Sequence, residues 1–195
     1  MKLVCIGDSL TTGYGVSMDV SWISIVKNSL KINIINKGIN GDTTAGMLSR
    51  SFRDVVEKNP THSFIMGGCN DIMNNYSLNI VEDNLYEIIK ESLNHNIIPI
   101  LGIEPPVIGE LAILYWGTDS NYDLINKNQI LYRKWIIDIC NKNTIEYIDF
   151  FKLFSSKLKS LKPESLYIDG VHPSKLGHEL MSNLAISRLN KILNL

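Results

Sequence analysis

The chain has 195 residues and a mass of 22.0 kDa, which fits one domain and leaves little room for a second. Hydrophobic residues make up 45% and charged residues 20%, a globular composition that argues against long disordered or fibrous segments. The formal net charge is −1 and no block of like charge stands out, which argues against a nucleic-acid-binding or membrane-surface protein.

Short apolar, β-branched runs alternate along the chain with longer segments of helical spacing. In chain order they predict strand Lys2–Gly7, helix Trp22–Leu30, strand Ile32–Ile39, helix Ala45–Lys58, strand Ser63–Met66, helix Leu78–Asn94, strand Ile97–Ile103, helix Leu124–Cys140, strand Thr144–Phe150 and helix Ser174–Leu193. Strands separated by helices pair in parallel through right-handed crossovers, so we expect a three-layer α/β/α sandwich with a five-stranded parallel sheet. Five such units of roughly 30 residues each use nearly the whole chain, which predicts a single domain over residues 1–195.

The three cysteines, Cys5, Cys69 and Cys140, are widely spaced and form no C-x-x-C pair. Such a pattern is typical of free, buried thiols in a reducing compartment and indicates no zinc site. No apolar run approaches the roughly 18 residues that a membrane span needs, and the N-terminal MKLVCIGD reaches Gly-Asp too early for a signal peptide. We therefore expect a cytoplasmic protein with no integral membrane segment, and the sequence makes no prediction of its oligomeric state.

Four polar segments stand where a parallel sheet would place a ligand site. Three of them follow predicted strands and the fourth precedes the last helix: Gly7–Leu10 (GDSL), Gly38–Thr44 (GINGDTT), Gly67–Asp71 (GGCND) and Asp169–Pro173 (DGVHP). Ligands of such folds bind at the carboxyl ends of the strands, so the four segments are predicted to meet at one edge of the sheet.

Ser9, Asp169 and His172 are the candidate catalytic side chains. A serine hydroxyl becomes a nucleophile when a base removes its proton, and near neutral pH that base is most often histidine. Asp169 can orient the ring if the segment is a loop, and Pro173 favours an extended conformation at His172. The alternatives are a helix-capping role for Ser9, a surface-loop histidine at 172, and a metal site of Asp169, His172 and His178, which the spacing disfavours.

Gly41 and Asn70 are candidates for an oxyanion hole. Ester hydrolysis by serine passes through a tetrahedral oxyanion that needs preorganised hydrogen-bond donors. A backbone N–H is accessible at a glycine, and an asparagine amide can supply a second donor. The alternatives are a turn glycine at 41 and an Asx turn at Asn70, and we interpret Asp71 as a structural residue that holds its loop by hydrogen bonds.

Together, and in this order, the four segments resemble the blocks of the SGNH (GDSL) hydrolase superfamily, here Ser9, Gly41, Asn70 and His172. The stretches GINGDTTAGML and GG-x-ND are most similar to the branch that holds arylesterases and thioesterase/lysophospholipase enzymes. The resemblance implies a flavodoxin-like strand order 2-1-3-4-5, with Ser9 as nucleophile, His172 as general base and then acid, and Asp169 as its orienting partner. It implies an oxyanion hole made by the backbone N–H groups of Ser9 and Gly41 and the side chain of Asn70, and no cofactor.

The connection from Glu104 to Tyr122 is the longest irregular one, and it follows the fourth strand on the active-site side. Long loops there are often functional, so Tyr115 and Trp116, with Ile72 after the third strand, are candidate substrate-binding residues. The alternative is a short extra helix that packs on the body of the protein. Cys69 lies at the variable position of the G-x-N-D block, where its thiol could make the enzyme sensitive to oxidants.

The expected activity is hydrolysis of a small-molecule acyl substrate by a serine esterase. Short- to medium-chain acyl (thio)esters or lysophospholipids are the main expectation, and carbohydrate O-acetyl esters are the alternative. Outside that class stand a flavodoxin-like binding module and an inactive family member that only binds. The first is disfavoured because Met18 stands where the last glycine of G-x-G-x-x-G would fall and no Walker lysine is present. The second is disfavoured because all five site residues are present.

Overall fold

The computed structural model describes residues 1–195 and contains one five-stranded sheet with helices on both faces. The strands are β1 (Lys2–Gly7), β2 (Asn33–Gly38), β3 (His62–Met66), β4 (Ile98–Ile103) and β5 (Glu146–Asp149). All neighbouring strands are parallel and their order is β2-β1-β3-β4-β5. The α/β class and the strand order 2-1-3-4-5 are therefore confirmed.

Ten α-helices connect and cover the strands. They are α1 (Ser9–Thr12), α2 (Trp22–Leu30), α3 (Thr44–Asp54), α4 (Cys69–Met73), α5 (Leu78–Asn94), α6 (Gly109–Trp116), α7 (Tyr122–Asn143), α8 (Phe150–Lys157), α9 (Pro163–Leu166) and α10 (Lys175–Ile192). The predicted bounds of α2 and α5 are confirmed. Helix α6 lies in the connection that was expected to be irregular, as the alternative of a short extra helix had it, but only Leu111 and Ala112 of this helix are buried.

Several boundaries differ from the prediction because local backbone chemistry ends an element early. Strand β5 is shorter than Thr144–Phe150: Thr144 is the left-handed cap of α7 (φ +56), and Phe150 begins α8 behind the capping side chain of Asp149. Helix α3 ends at Asp54 rather than Lys58. A separate 3₁₀ turn at Val56–Lys58 follows it and ends at the left-handed Asn59 (φ +48).

The sheet separates two apolar cores, because successive side chains of a strand point to opposite faces. In β1, Val4 and Ile6 pack with residues of α3, α5 and α7, whereas Leu3 and Cys5 pack with residues of α2, α8 and α10. This arrangement is the predicted three-layer sandwich, and packing on both faces of the sheet fixes the positions of the strand ends.

The apolar segments of the chain stay within this globular arrangement. No helix combines the length and the apolar character that crossing a membrane requires. Cys5, Cys69 and Cys140 are buried and unpaired.

Candidate active site

The segments after β1, β2 and β3 start at the same level of the sheet. Gly7 is in register with Gly38 of β2 and with Met66 of β3. The three predicted segments therefore leave the sheet side by side at its carboxyl edge.

The turn after β1 is fixed by hydrogen bonds to the side chains of Asp8 and of a tryptophan. Asp8 is the N-cap of α1, and its Oδ1 accepts the Leu10 N–H at 2.9 Å. The Trp22 Nε1–H donates to the Leu10 carbonyl at 2.8 Å. Because Asp8 caps the helix, the side chain of Ser9 is free for another role, and the capping alternative for Ser9 is wrong.

Ser9, His172 and Asp169 form a connected chain of hydrogen bonds. The His172 Nε2 lies 3.0 Å from the Ser9 Oγ, and the His172 Nδ1 lies 2.7 Å from the Asp169 Oδ2. All three side chains are buried. With the proton on Nδ1 donated to Asp169, Nε2 accepts the Ser9 hydroxyl proton, the arrangement that activates a serine nucleophile.

The loop that carries this pair is folded around the Asp169 carboxylate. Its Oδ1 accepts the backbone N–H groups of Val171 (2.9 Å) and His172 (2.7 Å). Burial alone would raise the pKa of Asp169, but the hydrogen bonds from the His172 ring and from these backbone groups lower it. Asp169 is therefore a carboxylate in position to orient the imidazole and to stabilise its charged form.

Asn70 lies between the nucleophile turn and the loop that contains Gly41. Its Nδ2 donates to the Asp42 carbonyl at 2.9 Å and to the Asp8 Oδ2 at 3.1 Å. Gly41 has φ +74, a conformation that favours glycine, and an added Cβ would meet no atom within 4 Å. Its N–H has no backbone acceptor, since the turn bonds run from Asp42 to Ile39 and from Ile39 to Gly7.

Two further polar residues tie the same segments together. Asp71 accepts both the backbone N–H (2.9 Å) and the hydroxyl (2.7 Å) of Thr44, as its structural interpretation predicted. The buried Arg50 donates to the Gly7 and Lys37 carbonyls and pairs with Asp42. Arg50 was missed from the sequence because an arginine in an amphipathic helix is normally solvated.

Glu104 was also missed as a site residue. It follows β4 directly, it is 7% exposed, and its Oε2 accepts the Cys69 N–H at the start of α4 at 2.7 Å. A signal for it existed: like Asp8 after β1, it is an acidic residue immediately after a buried strand.

Two aromatic rings flank the imidazole. The ring centroid of Tyr14 lies 4.5 Å from that of His172, and that of Trp116 lies 5.8 Å away. Trp116 is half exposed, so it can also contact a bound molecule. Tyr14 was not among the predicted residues, although it follows the GDSL segment by four positions.

The other predicted substrate contacts lie in different surroundings. Tyr115 is 63% exposed on α6. The ring of the next residue, Trp116, lies beside His172, whereas that of Tyr115 does not. Ile72 is 2% exposed and packs in the core, and it also lines, with Asn74 and Ser120, a cavity of about 270 Å³ beside α4. Its role as a substrate contact stays a prediction.

Cys69 and His178 belong to the interior rather than to a reactive site. Burial, with the nearby carboxylates, raises the pKa of the Cys69 thiol well above its usual value, which opposes formation of a reactive thiolate. The expectation of an oxidant-sensitive Cys69 is therefore not supported by its surroundings. His178 lies in α10, fully buried, and its Nδ1 accepts the Trp22 N–H at 3.4 Å.

The chain is similar to known proteins over most of its length. Residues 5–180 match the model of the GDSL-like Lipase/Acylhydrolase family. The chain is similar to an acetylxylan esterase of Geobacillus stearothermophilus, with 28% identity over 93% of this chain and 90% of that protein. It is similar to an arylesterase of Vibrio mimicus, with 27% identity over 88% and 80% of the two chains.

A solved structure gives the same result for the fold. The structure of a putative lipolytic protein of the G-D-S-L family from Desulfitobacterium hafniense superimposes with a TM-score of 0.80 and 25% identity. The match covers 96% of this chain and 99% of the other. The resemblance drawn from the four segments thus extends over the whole sheet and its helices.

Proposed function

Because the chain belongs to the GDSL-like lipase/acylhydrolase family and is a carboxylic ester hydrolase, we propose that it cleaves short- to medium-chain acyl esters through Ser9, His172 and Asp169. The observation that carries this proposal is the chain of contacts from Ser9 Oγ to His172 Nε2 (3.0 Å) and from His172 Nδ1 to Asp169 Oδ2 (2.7 Å). The three residues come from two loops that are 160 positions apart in sequence but meet at the carboxyl edge of the sheet.

In the first step, Ser9 Oγ attacks the ester carbonyl carbon while His172 Nε2 takes the hydroxyl proton. The imidazolium that forms is stabilised by the Asp169 carboxylate. Collapse of the tetrahedral intermediate breaks the bond to the leaving alcohol, which receives the proton from His172 and leaves an acyl-enzyme.

In the second step, His172 removes a proton from water, and the hydroxide attacks the acyl-enzyme carbonyl. A second tetrahedral intermediate collapses, Ser9 regains its proton from His172, and the free acid leaves. Every proton is thus passed through His172 Nε2, which explains why its orientation by Asp169 matters in both steps.

The oxyanion of each intermediate would be held by the Asn70 Nδ2 and the backbone N–H groups of Gly41 and Ser9. Gly41 supports this role because its N–H has no backbone acceptor. The Asn70 amide already faces two acceptors, Asp8 and Asp42, so the amide is held with Nδ2 rather than Oδ1 toward the site. One of these bonds is then shared with the oxyanion.

A second candidate substrate class is an O-acetylated carbohydrate. The half-exposed Trp116 and the neighbouring Tyr14 present aromatic faces beside His172, which suit the stacking of a sugar ring. The cavity of about 270 Å³ beside α4 is lined by four uncharged polar side chains, four apolar side chains and Asp119; the polar ones are Asn74, Asn75, Ser120 and Asn121. The similarity to an acetylxylan esterase points in the same direction.

The test is hydrolysis of p-nitrophenyl acetate by wild type, by Ser9→Ala and by a matched control, Ser49→Ala, an exposed serine on α3. We expect Ser9→Ala to lose at least about 10⁴-fold in kcat and to lose labelling by a fluorophosphonate. Ser49→Ala should behave as wild type. Near-wild-type turnover by Ser9→Ala would refute the proposal. Comparison of butyryl and longer esters with acetylated xylooligosaccharides then separates the two substrate classes.

A further inference from the structure

Two acidic side chains lie against each other beside the candidate site, and neither takes part in the proton transfers described above. Asp8 is completely buried and Glu104 is 7% exposed, and their carboxyl groups are in hydrogen-bonding contact. They connect three elements: Asp8 caps the nucleophile helix α1, and Glu104 follows β4 and accepts the first N–H of α4.

The hydrogen bonds of the pair leave one oxygen without a donor. Asp8 accepts from the Leu10 N–H (2.9 Å) and from the Asn70 Nδ2 (3.1 Å), and Glu104 Oε2 accepts from the Cys69 N–H (2.7 Å). Glu104 Oε1 is buried and meets no N–H or O–H of another residue. A proton shared between the two carboxyl groups would satisfy a buried oxygen that meets no donor.

The charges around the pair also require a proton. The titratable and charged groups that face it from the surrounding elements are Asp42, Arg50, Cys69, Asp71, Tyr132, Asp169 and His172. Arg50 pairs with Asp42 and Asp54, and His172 pairs with Asp169, so no cation remains for Asp8 or Glu104. Two adjacent buried carboxyl groups without a cation cannot both be ionised.

We propose that Glu104 is a neutral acid that donates its proton to Asp8, and that it is thereby a positioning residue for the Asn70 amide in the oxyanion hole. The inference rests on the proposed function of Asn70. The charge resides on Asp8 because Asp8 accepts two N–H donors from other residues, whereas Glu104 accepts one. Burial, followed by the charge of Asp8, raises the pKa of Glu104 well above its usual value.

The consequence for catalysis lies in the orientation of an amide. A carboxylate at Asp8 can only accept, so it selects the Nδ2 end of Asn70 and turns Oδ1 away. Without the donor at position 104, the Asp8 carboxylate is destabilised and takes up a proton itself. A protonated Asp8 is a weaker acceptor for the Asn70 Nδ2, so the Asp42 carbonyl would hold the amide alone and the oxyanion donor would be less firmly positioned.

The first arm of the test detects the proton. An infrared difference spectrum between wild type and Glu104→Gln at pH 7 should contain the C=O band of a protonated carboxylic acid. The exposed Glu110 supplies the control, because Glu110→Gln should remove only a carboxylate band. Absence of the acid band from the Glu104→Gln difference spectrum overturns the proposal. This measurement uses only Glu104→Gln, in which the new side chain has the same shape as glutamate.

The second arm measures positioning. Glu104→Gln retains a donor for Asp8 and an acceptor for the Cys69 N–H, so kcat for p-nitrophenyl acetate should stay within about threefold of wild type. Glu104→Leu lacks both and should lose about 10- to 100-fold in kcat, the effect of one lost hydrogen bond to a charged group, with a smaller change in KM. Wild-type kcat in a folded Glu104→Leu, or loss of activity in a folded Glu104→Gln, overturns the proposal.

The two proposals fail separately. If Ser9→Ala remains active, the serine mechanism is wrong whatever the behaviour of Glu104. If Ser9→Ala is inactive and still no acid band is found, only the role of Glu104 is wrong.

Discussion

The nucleophile turn after β1 and helix α6 both border His172, yet they are held by different interactions. In the turn, Asp8 is completely buried, its Oδ1 accepts the N–H of Leu10 in the same turn, and its Oδ2 accepts the Asn70 Nδ2 from the segment after β3. Helix α6 ends in four apolar residues that are each more than 40% exposed, Ile113, Leu114, Tyr115 and Trp116. Only its first turn is anchored, where Leu111 and Ala112 are buried and Gly170 approaches closely.

This difference separates the parts of the site that serve the reaction from those that serve the substrate. Donors and acceptors that stabilise a transition state must be preorganised, and buried hydrogen bonds provide that rigidity. An exposed apolar surface is available for contact with a ligand and tolerates change without disturbing the chemistry. Variants of the buried network should therefore change kcat by large factors, and variants of α6 should mainly change KM.

Among the residues that support the nucleophile, the largest effect is expected from Asp169→Asn. The asparagine Oδ1 can still accept the backbone N–H groups of Val171 and His172, so the loop should keep its shape. Its NH₂ would face His172 Nδ1 and force the proton to Nε2, the wrong tautomer, which should lower kcat about 10⁴-fold. Unchanged thermal stability with this loss would confirm an orienting role, and a loss below tenfold would contradict it.

Asn70→Ala is expected to have the next largest effect. Removal of one oxyanion donor typically lowers kcat by about 10²–10³-fold and changes KM little. The control is Asn143→Ala, an exposed asparagine at the far end of α7, which should leave kcat unchanged. If the two variants have equal kcat, Asn70 does not act on the transition state.

The sequence predicted the four segments and the sheet because both depend on local signals. GDSL, Gly41, Asn70 and the Asp169–His172 pair each follow an apolar run or precede a periodic helix, and the fold then brings them together. Glu104 and Arg50 were not predicted because their partners, Asp8, Cys69 and Gly7, are 35 to 96 positions away in sequence. Contacts between residues so far apart leave no periodic pattern in the sequence.

The sequence also failed to predict the short helices. Helices α1 and α4 have four and five residues, too few to show a repeating apolar stripe. Because α4 was not foreseen, the sequence did not predict that Ile72 packs in the core. Helix α6 has apolar residues on all sides, so its pattern did not distinguish it from a loop.

Acid should destabilise the buried region through His178. Burial lowers the pKa of His178 from 6.5 to about 4, so as pH falls from about 6.5 to about 4 the unfolded chain takes up a proton that the folded chain does not. Stability is therefore lost over this range, by up to roughly 3 kcal/mol. Urea unfolding at several pH values measures it. His178→Asn should show a smaller pH dependence, whereas the exposed His95→Gln should keep that of wild type, and equal slopes in all three would exclude His178.

Trp116→Ala should have the smallest effect and should depend on the substrate. Loss of one aromatic face beside His172 is expected to raise KM for an acetylated xylooligosaccharide several-fold, on the order of 1 kcal/mol, with kcat little changed. The KM for p-nitrophenyl acetate, which has no sugar ring, should change less. Leu114→Ala on the same helix is the control, because its side chain is 74% exposed and is not paired with the imidazole. If Trp116→Ala instead lowers kcat for both substrates, the ring supports His172, and α6 belongs with the preorganised part of the site.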